Sequence, residues 1–267
     1  MEGYVHGYTG REAERLSDQA GAVRDLLHRD TAYPEGSKVL EAGCGTGAQT
    51  VTLAANSPGA RFTCIDVAGE SLDRARALAE ERGLDNVEFH RADIHDLPFD
   101  PDSFDHVFVC YVLEHLPDPS RALACLRPVL KPAGSITVIE GDHGSCYWHP
   151  DTKAGRHVWR CLIDAQAGLG GDSLIGRRLY PLLTGAGFRD VSVSPRMVYC
   201  DSGNPALTDA FVRKTIIAMV EGSKAHALRM GLTDEERWAE GIRDLNAVAD
   251  RPDGTFCYTF FKAVALR

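Results

Sequence analysis

The sequence lacks any long hydrophobic run, since its longest unbroken apolar stretch is 107–113, far too short to span a bilayer. The first residues lack the basic and apolar regions of a secretory signal peptide, so we expect a cytoplasmic protein with no membrane partner. Basic side chains number 29 against 38 acidic ones, which gives a net charge of −9. An acidic chain repels phosphate backbones, and we therefore expect no nucleic-acid partner.

Paired and clustered cysteines are also missing. The 8 cysteines are scattered along the chain, and none forms a C-x-x-C pair. A zinc site needs clustered ligands, so we expect no metal. Several cysteines lie in apolar runs, as Cys64 does beside Ile65 and Cys110 beside Val109. This placement is typical of reduced, buried thiols in a cytosolic protein.

Strands and helices alternate through the first half of the chain. Apolar spacing before Pro34 predicts one or two N-terminal helices. The alternation that follows predicts an α/β fold with a mostly parallel sheet covered on both faces. The predicted strands are 39–42, 61–66, 87–92, 104–110 and 134–140, and the predicted helices are 48–55, 70–82 and 118–130.

The regular alternation of predicted strands and helices ends after residue 140. A strand at 191–193 should be short because Pro195 follows it. A helical pair interrupts strands that would otherwise be adjacent, so we interpret residues 205–250 as a helical cap inserted into a single domain of residues 1–267. The remaining predicted elements are helices at 155–167, 174–185, 206–230 and 233–249 and a terminal strand at 255–265.

A glycine-rich turn follows the first predicted strand. Gly43, Gly45 and Gly47 leave bare backbone N–H groups at the start of a helix, where a charged or polar ligand can approach the main chain closely. In an open parallel sheet, this loop lies at the carboxyl ends of the strands, which is where ligands bind. With Ala48 the turn also fits the dinucleotide pattern G-x-G-x-x-A, so a nicotinamide cofactor remains an alternative.

Acidic residues follow three successive predicted strands. Asp66 ends the second strand and can accept both ribose hydroxyls of a dinucleotide or a nucleoside, the alternative being a helix N-cap. Asp93 follows the third strand and can accept from an adenine amino group, the alternative being a turn cap. With Glu41 they make the crevice negative, which suits a cationic sulfonium better than a pyrophosphate.

These segments together resemble the class I S-adenosylmethionine-dependent methyltransferases of the UbiE-like, type 11 group. Ala133 stands where that family usually has glycine, a minor departure in a turn. The resemblance covers about residues 37–140 and the terminal strand. It implies a Rossmann-like sheet of seven strands in the order 3-2-1-4-5-7-6, with strand 7 antiparallel. The matching segments are 39–47, 65–66, 92–99, 104–107, 113–116 and 130–134.

The resemblance also implies a cofactor, S-adenosyl-L-methionine, with S-adenosyl-L-homocysteine as its product. It assigns the ribose hydroxyls to Asp66 and the adenine to Val67 and Asp93. In similar enzymes the N-terminal segment closes over the cofactor, which makes Tyr8 and Gln19 candidate lid contacts. The residues that the resemblance places on the cofactor are Glu41, Gly43, Cys44, Gly45, Asp66, Val67, Asp93, Ile94, Cys110, Tyr8 and Gln19.

Methyl transfer from a sulfonium is an in-line displacement, which requires an aligned acceptor and the exclusion of water. His143, predicted to follow strand five, is a candidate general base because histidine titrates near neutrality, and the alternative is a histidine bonded to nearby backbone. Asp142 would orient it or bind an acceptor amine, and His115 is a second catalytic candidate. Tyr147, Trp148 and His149 would line the acceptor pocket or, alternatively, pack in an aromatic core.

We expect the acceptor to be a small molecule, either a natural product or an amino-acid-like metabolite. The chain has neither the Asn/Asp-Pro-Pro-Tyr/Phe segment nor the Pro-Cys pair of nucleic-acid methyltransferases. A lid from residues 1–36 and the cap at 205–250 would roof the acceptor, above a core at 37–141, an acceptor-side half at 142–204 and a terminal strand within 251–267. A swapped N-terminal helix would give a homodimer. An NAD-dependent oxidoreductase and a non-catalytic cofactor-binding module are the alternative functions.

Overall fold

The computed structural model describes Gly21 and residues 23–267. The predicted lid contacts Tyr8 and Gln19 lie outside the described residues, as does most of the predicted N-terminal lid. The first described helix, α1, includes residues 23–28. No helix of the described residues combines the length and the hydropathy needed to cross a membrane.

The predicted sheet is confirmed. It has seven strands in the order β3-β2-β1-β4-β5-β7-β6, and β7 is antiparallel. The pairs β1–β2, β1–β4, β2–β3 and β4–β5 are parallel. The strands are β1 Lys38–Ala42, β2 Arg61–Asp66, β3 Val87–Arg91, β4 Phe104–Cys110, β5 Leu130–His149, β6 Arg189–Asp201 and β7 Thr255–Leu266.

Side-chain caps begin several of the helices. Asp118 accepts from Arg121 N at 2.9 Å with a proline at the first helical position, and Asp234 accepts from Arg237 N at 2.9 Å. The described helices after α1 are α2 Thr50–Asn56, α3 Gly69–Glu81, α4 Pro119–Leu126, α5 Lys153–Gly168, α6 Leu179–Gly185, α7 Pro205–Leu207, α8 Ala218–Gly222, α9 Lys224–Arg229 and α10 Glu235–Asp250. Leu113–His115 and Ile175–Arg178 are 3-10 turns, and Thr208–Ile217 is π-helical.

Two strand ends were predicted wrongly. Strand five does not stop at Glu140 but continues to His149, in the sheet position next to β7. Within this extension Asp142 accepts from Gly144 N and from the Ser145 hydroxyl, both at 2.9 Å. Pro195 does not end the sixth strand. Since β6 lies at the edge of the sheet, the missing N–H of a proline removes no ladder hydrogen bond there.

Two helices also differ from their predictions. The helix predicted at 118–130 ends at Leu126, since β5 already begins at Leu130. The helix predicted at 206–230 is broken into shorter pieces. The Thr215 hydroxyl bonds to Ala210 O at 3.0 Å within the π-helical segment, and the Ser223 hydroxyl bonds to Val220 O at 2.7 Å between α8 and α9. Such side-chain bonds compete with regular helical hydrogen bonding.

The chain divides into two compact units. The first, named here the glycine-loop unit, contains Arg24–Gly141, Ile175–Arg196 and Phe260–Arg267. The second, named the aromatic unit, contains Asp142–Leu174 and Met197–Thr259. The predicted acceptor-side half is therefore shared between the units, and the predicted cap lies in the aromatic unit. Whether the whole chain acts as one domain stays a prediction.

The core of the glycine-loop unit lies on both faces of its strands. Consecutive residues Val107, Phe108 and Val109 of β4 are all fully buried, which requires cover on both sides of the strand. Leu123 of α4 and Leu183 of α6 belong to the same cluster of buried side chains. Full burial of one such side chain contributes about 1.5–3 kcal/mol. This core holds the strand ends that carry the predicted site.

Candidate active site

The glycine-rich turn after β1 is tightly built. The N–H groups of Gly43 and Cys44 both donate to Ile65 O, at 2.8 and 2.9 Å. Gly43 has a φ of +80°, and a Cβ placed on it would lie 2.4 Å from Val112 Cγ2. Gly45 has a φ of +54° with open space where its Cβ would lie. Gly43 is therefore needed for close packing, and Gly45 leaves space for a ligand beside the main chain. The prediction that the glycine N–H groups are bare is wrong, because Gly45 N donates to Asp66 and Gly47 N to Cys44 O.

Asp66 braces this turn from the end of β2. Its Oδ2 accepts from Gly45 N and its Oδ1 accepts from Ala68 N, both at 2.9 Å. A carboxylate oxygen can accept a further bond, so a ligand's hydroxyls can still be bound. The neighbouring Val67 is 40% exposed, which leaves an apolar surface beside the carboxylate. The ribose and adenine roles of these residues stay predictions.

Asp93, after β3, caps a turn. Its Oδ1 accepts from His95 N at 2.8 Å and lies 3.1 Å from His95 Nδ1. The hydrogen bond from the His95 backbone lowers the pKa of Asp93, so the carboxylate is charged at neutral pH. The adjacent Ile94 is buried. Capping the turn leaves Asp93 Oδ2 outside these bonds, and contact with an adenine amino group stays a prediction.

Glu41 lies inside the fold, behind the glycine turn. Its Oε2 accepts from the Thr50 hydroxyl at 2.6 Å, which ties β1 to the start of α2, and from Cys64 Sγ at 3.4 Å. Burial raises the pKa of Glu41 to about 7. Burial likewise raises the pKa of the Cys44 and Cys110 thiols, so both remain protonated and unreactive at neutral pH.

The chain turns sharply after β4. Tyr111 adopts a left-handed conformation with a φ of 57°, which is unusual for a bulky residue. The 3-10 turn Leu113–His115 follows, and His115 Nε2 lies 3.6 Å from Glu114 Oε1. This turn belongs to the glycine-loop unit, as do all the described residues predicted to bind the cofactor. A catalytic role for His115 stays a prediction.

His143 and Asp142 lie in the aromatic unit and are both buried. The His143 Nδ1 atom is 2.7 Å from the Tyr258 hydroxyl, and the His143 carbonyl accepts from Trp159 Nε1 at 2.8 Å. The His143 ring is 5.4 Å from that of Trp159. The structure thus places His143 in an aromatic environment with a hydroxyl partner, and a role as general base stays a prediction.

The three residues predicted to line the acceptor pocket end β5 and have different surroundings. Trp148 stacks on Phe256 with ring centroids 6.1 Å apart and the rings inclined by 12°. Tyr147 is 66% exposed. His149 Nε2 lies 3.9 Å from Asp253 Oδ2 at an exposed position. An acceptor-binding role for the three stays a prediction.

Several buried polar contacts near the site were not predicted from the sequence. His28 Nε2 bonds to Gln49 Oε1 at 2.7 Å, and the Lys262 ammonium bonds to Leu27 O, Asp30 Oδ1 and Thr31 Oγ1. These partners are far apart in sequence, so no local sequence pattern predicts their contacts. Glu140, buried at the end of an apolar run in β5, did carry a signal, because an unpaired charge there is costly.

The strand order, the glycine turn and the acidic residues at successive strand ends define a class I S-adenosylmethionine-dependent methyltransferase fold. More particularly, residues 39–134 match the sequence profile of the family described as "Methyltransferase domain". The cofactor class that this family uses is S-adenosyl-L-methionine.

Named relatives agree with that match. An uncharacterized 37.1 kDa protein in transposon TN4556 of Streptomyces fradiae is 38% identical over 181 residues, which are 67% of this chain and 51% of that protein. A demethylmenaquinone methyltransferase of Clavibacter sepedonicus is 38% identical over 112 residues, which are 42% of this chain and 44% of that protein. The chain thus spans about half the length of the curated relatives it matches.

Among solved structures, phosphoethanolamine N-methyltransferase 2 of Haemonchus contortus, in complex with S-adenosyl-L-methionine, has a TM-score of 0.60. Its sequence is 15% identical, and the likeness covers 98% of this chain and 57% of that one. At this level of identity the likeness shows the fold alone.

Proposed function

We propose that this chain transfers a methyl group from S-adenosyl-L-methionine to a small-molecule acceptor. The observation that carries the proposal is the bracing of Gly45 by the Asp66 carboxylate. This bond sets a glycine turn, which has no side chain at Gly45, beside a carboxylate that can accept further hydrogen bonds, at the carboxyl ends of β1 and β2. A nucleoside with two free ribose hydroxyls fits that combination.

The residues present suit an adenosyl sulfonium. The open space at Gly45 admits a ligand against the main chain, and the exposed Val67 offers an apolar surface to an adenine ring. Asp93 is charged at neutral pH, and the bonds described above at Gly43 and Asp66 involve no basic side chain, whereas the His95 ring lies beside Asp93. A negative crevice favours a cation over a pyrophosphate. These features argue against the alternative, an NAD-dependent oxidoreductase.

When bound, S-adenosyl-L-methionine supplies a methyl group already activated by the positive charge on sulfur. The work left to the protein is binding, alignment and exclusion of water. Asp66 would hold the ribose hydroxyls, Asp93 the adenine amino group, and the turn at Gly43 and Gly45 the methionine half. A base is needed only where the acceptor must lose a proton, and His143 is the residue we propose for that step.

The names of the relatives support a small-molecule acceptor. Demethylmenaquinone is the substrate named for the Clavibacter sepedonicus protein, and phosphoethanolamine is the substrate named for the Haemonchus contortus enzyme. Both are small molecules. We therefore propose the class of acceptor, a small metabolite, and leave the accepting atom to experiment.

Calorimetry separates the candidate cofactors. We expect the purified chain to bind S-adenosyl-L-homocysteine and to show no measurable affinity for NAD at the same concentration. Binding of NAD alone would contradict the proposal. An assay with labelled methyl donor and a metabolite extract, followed by mass identification of the labelled product, then tests transfer. Cofactor binding without any labelled product from extract would favour a non-catalytic binding module.

A further inference from the structure

Glu140 is a buried carboxyl for which neither the fold nor the proposed reaction has yet supplied a role. It lies on β5 after Val138 and Ile139 and is fully buried. Its Oε1 accepts from the N–H groups of Val112 and Leu113, at 3.1 and 2.8 Å. Its Oε2 is also buried and has no hydrogen-bond partner among the described residues. Burying a carboxyl oxygen without a hydrogen bond costs free energy, which indicates that Glu140 has a specific role.

The two amides that Glu140 binds begin the sharp turn after β4. The first N–H groups of a short helical turn have no acceptor within the turn itself. Glu140 supplies that acceptor from the neighbouring strand. The turn follows Tyr111, whose left-handed conformation is unfavourable for a bulky residue and persists only when the surroundings impose it. The two hydrogen bonds that Glu140 accepts are such a constraint.

The same turn reaches the glycine loop through one side chain. Val112, whose amide is bound by Glu140, packs so closely on Gly43 that a Cβ there would lie 2.4 Å from Val112 Cγ2. The contacts therefore run from Glu140 to the Val112 amide, and from the Val112 side chain to Gly43. All of these residues belong to the glycine-loop unit.

We propose that Glu140 is a positioning residue of the cofactor site, which fixes the turn after β4 against the glycine loop without itself touching the cofactor. Its effect on cofactor binding rests on the function proposed above, whereas its effect on the turn does not. Burial, reinforced by the nearby Glu114 charge, raises the pKa of Glu140 and so favours the uncharged acid. Glutamine is then a close substitute, because its side-chain oxygen can accept the same two bonds.

Three variants test the inference with two measurements. Glu140→Gln keeps the acceptor, Glu140→Leu removes it, and Val220→Ala is a control that opens a cavity on α8, in the aromatic unit. Hydrogen–deuterium exchange of residues 111–116 in the ligand-free protein measures the turn, and calorimetry with S-adenosyl-L-homocysteine measures the site. We expect Glu140→Leu to speed exchange of the Val112 and Leu113 amides about tenfold and to weaken binding about tenfold, the usual effect of a lost buried hydrogen bond.

Glu140→Gln should stay within about threefold of the wild type in both measurements. Val220→Ala should lower the unfolding midpoint and change neither measurement. If Glu140→Leu does not fold, Glu140→Asp replaces it, since its carboxyl is one methylene too short to reach both amides.

Two outcomes would overturn the inference while the proposed function stands. In the first, the wild type binds S-adenosyl-L-homocysteine, but the two amides exchange at wild-type rates in Glu140→Leu. In the second, Glu140→Gln loses as much affinity as Glu140→Leu, which would mean that a negative charge and not an acceptor is required. A wild type that binds no S-adenosyl-L-homocysteine contradicts the proposed function, and the exchange rates still decide whether Glu140 holds the turn.

Discussion

The two units of the chain are organised by different interactions. In the glycine-loop unit, the carboxyl groups of Asp66 and Glu140 each accept from two backbone N–H groups and so determine the path of a loop. In the aromatic unit, rings pack on rings, as Phe256 does between Trp148 and Phe211. Hydrogen bonds to the backbone fix the loop shape that a ligand requires. Packed aromatic side chains mainly fill space, and different ones can serve for different ligands.

This difference predicts where each kind of substitution is felt. A change among the rings should reduce the free energy of unfolding and leave cofactor affinity intact. A change at Asp66 should do the reverse, because the Gly45 and Ala68 N–H groups that it releases are only partly buried and lose little on unpairing. The predictions that follow test this separation.

The largest effect is expected for Phe256→Ala in the aromatic unit. Phe256 is 1% exposed and contacts both Trp148 and Phe211, so its truncation leaves a cavity. We expect a loss of about 3–5 kcal/mol in the free energy of unfolding, measured with urea. Affinity for S-adenosyl-L-homocysteine, measured well below the unfolding midpoint, should not change.

Phe256→Leu is the matched control, because it retains most of the buried volume and should lose less stability. A fall in cofactor affinity that parallels the loss of stability across both variants would break the separation between the units.

His143→Ala should produce the next largest effect, on turnover. If His143 is the general base, its removal slows methyl transfer by about 100-fold or more and leaves cofactor affinity unchanged. Because the residue is buried beside Trp159, turnover must be compared at a temperature where both proteins are folded. Steady-state assays with the acceptor identified from extract provide the measurement.

Tyr258→Phe separates a catalytic role from a structural one. It removes the hydroxyl that lies 2.7 Å from His143 Nδ1 but keeps the ring. A base oriented by Tyr258 should be slowed in this variant as well, though less than in His143→Ala. Near-normal turnover of His143→Ala would leave His143 as a packing residue of the aromatic unit.

The contrast between the units also explains what the sequence could predict. The glycine loop, Asp66 and the strand order are local patterns with a fixed spacing, and the sheet is confirmed. The fifth strand was predicted to end at Glu140, yet β5 continues to His149. A strand is extended when it pairs with a strand that is distant in sequence. The spacing of residues along the chain does not reveal such a pairing. The aromatic contacts of His143 are long-range for the same reason.

Asp66→Ala should change cofactor binding more than stability. Its two oxygens hold Gly45 and Ala68, and the ribose hydroxyls are proposed to bind the same group. We expect calorimetry to show that the affinity for S-adenosyl-L-homocysteine falls by about 1.5–3 kcal/mol, the usual cost of losing hydrogen bonds to a charged group. Asp73→Ala is the control, since Asp73 is exposed on α3 and pairs only with Arg76 in a surface ion pair that contributes little. Unchanged affinity in folded Asp66→Ala would remove Asp66 from the ribose site.

The smallest effect is expected in the pH dependence of the wild type, where two groups of the glycine-loop unit oppose each other. Burial lowers the pKa of His28 from 6.5 to about 4, so the unfolded chain takes up a proton first and stability is lost as the pH falls from about 6.5 to 4. Burial raises the pKa of Glu41 from 4.5 to about 7, so the unfolded chain releases its proton first and stability is lost as the pH rises from about 4.5 to 7. The two slopes, each about 1 kcal/mol per pH unit at most, therefore nearly cancel.

Single variants should uncover each slope. Urea unfolding of His28→Gln between pH 4.5 and 7 should show stability that declines more steeply as the pH rises than in the wild type, because His28 no longer offsets the Glu41 slope. Glu41→Gln, which can still accept from the Thr50 hydroxyl, should show the opposite decline on acidification. His149→Gln, at an exposed position in the aromatic unit, should leave the wild-type profile unchanged. Slopes of the same sign in His28→Gln and Glu41→Gln would mean that these two residues are not the source of the opposing titrations. Proton binding would then be coupled to folding elsewhere than in the glycine-loop unit.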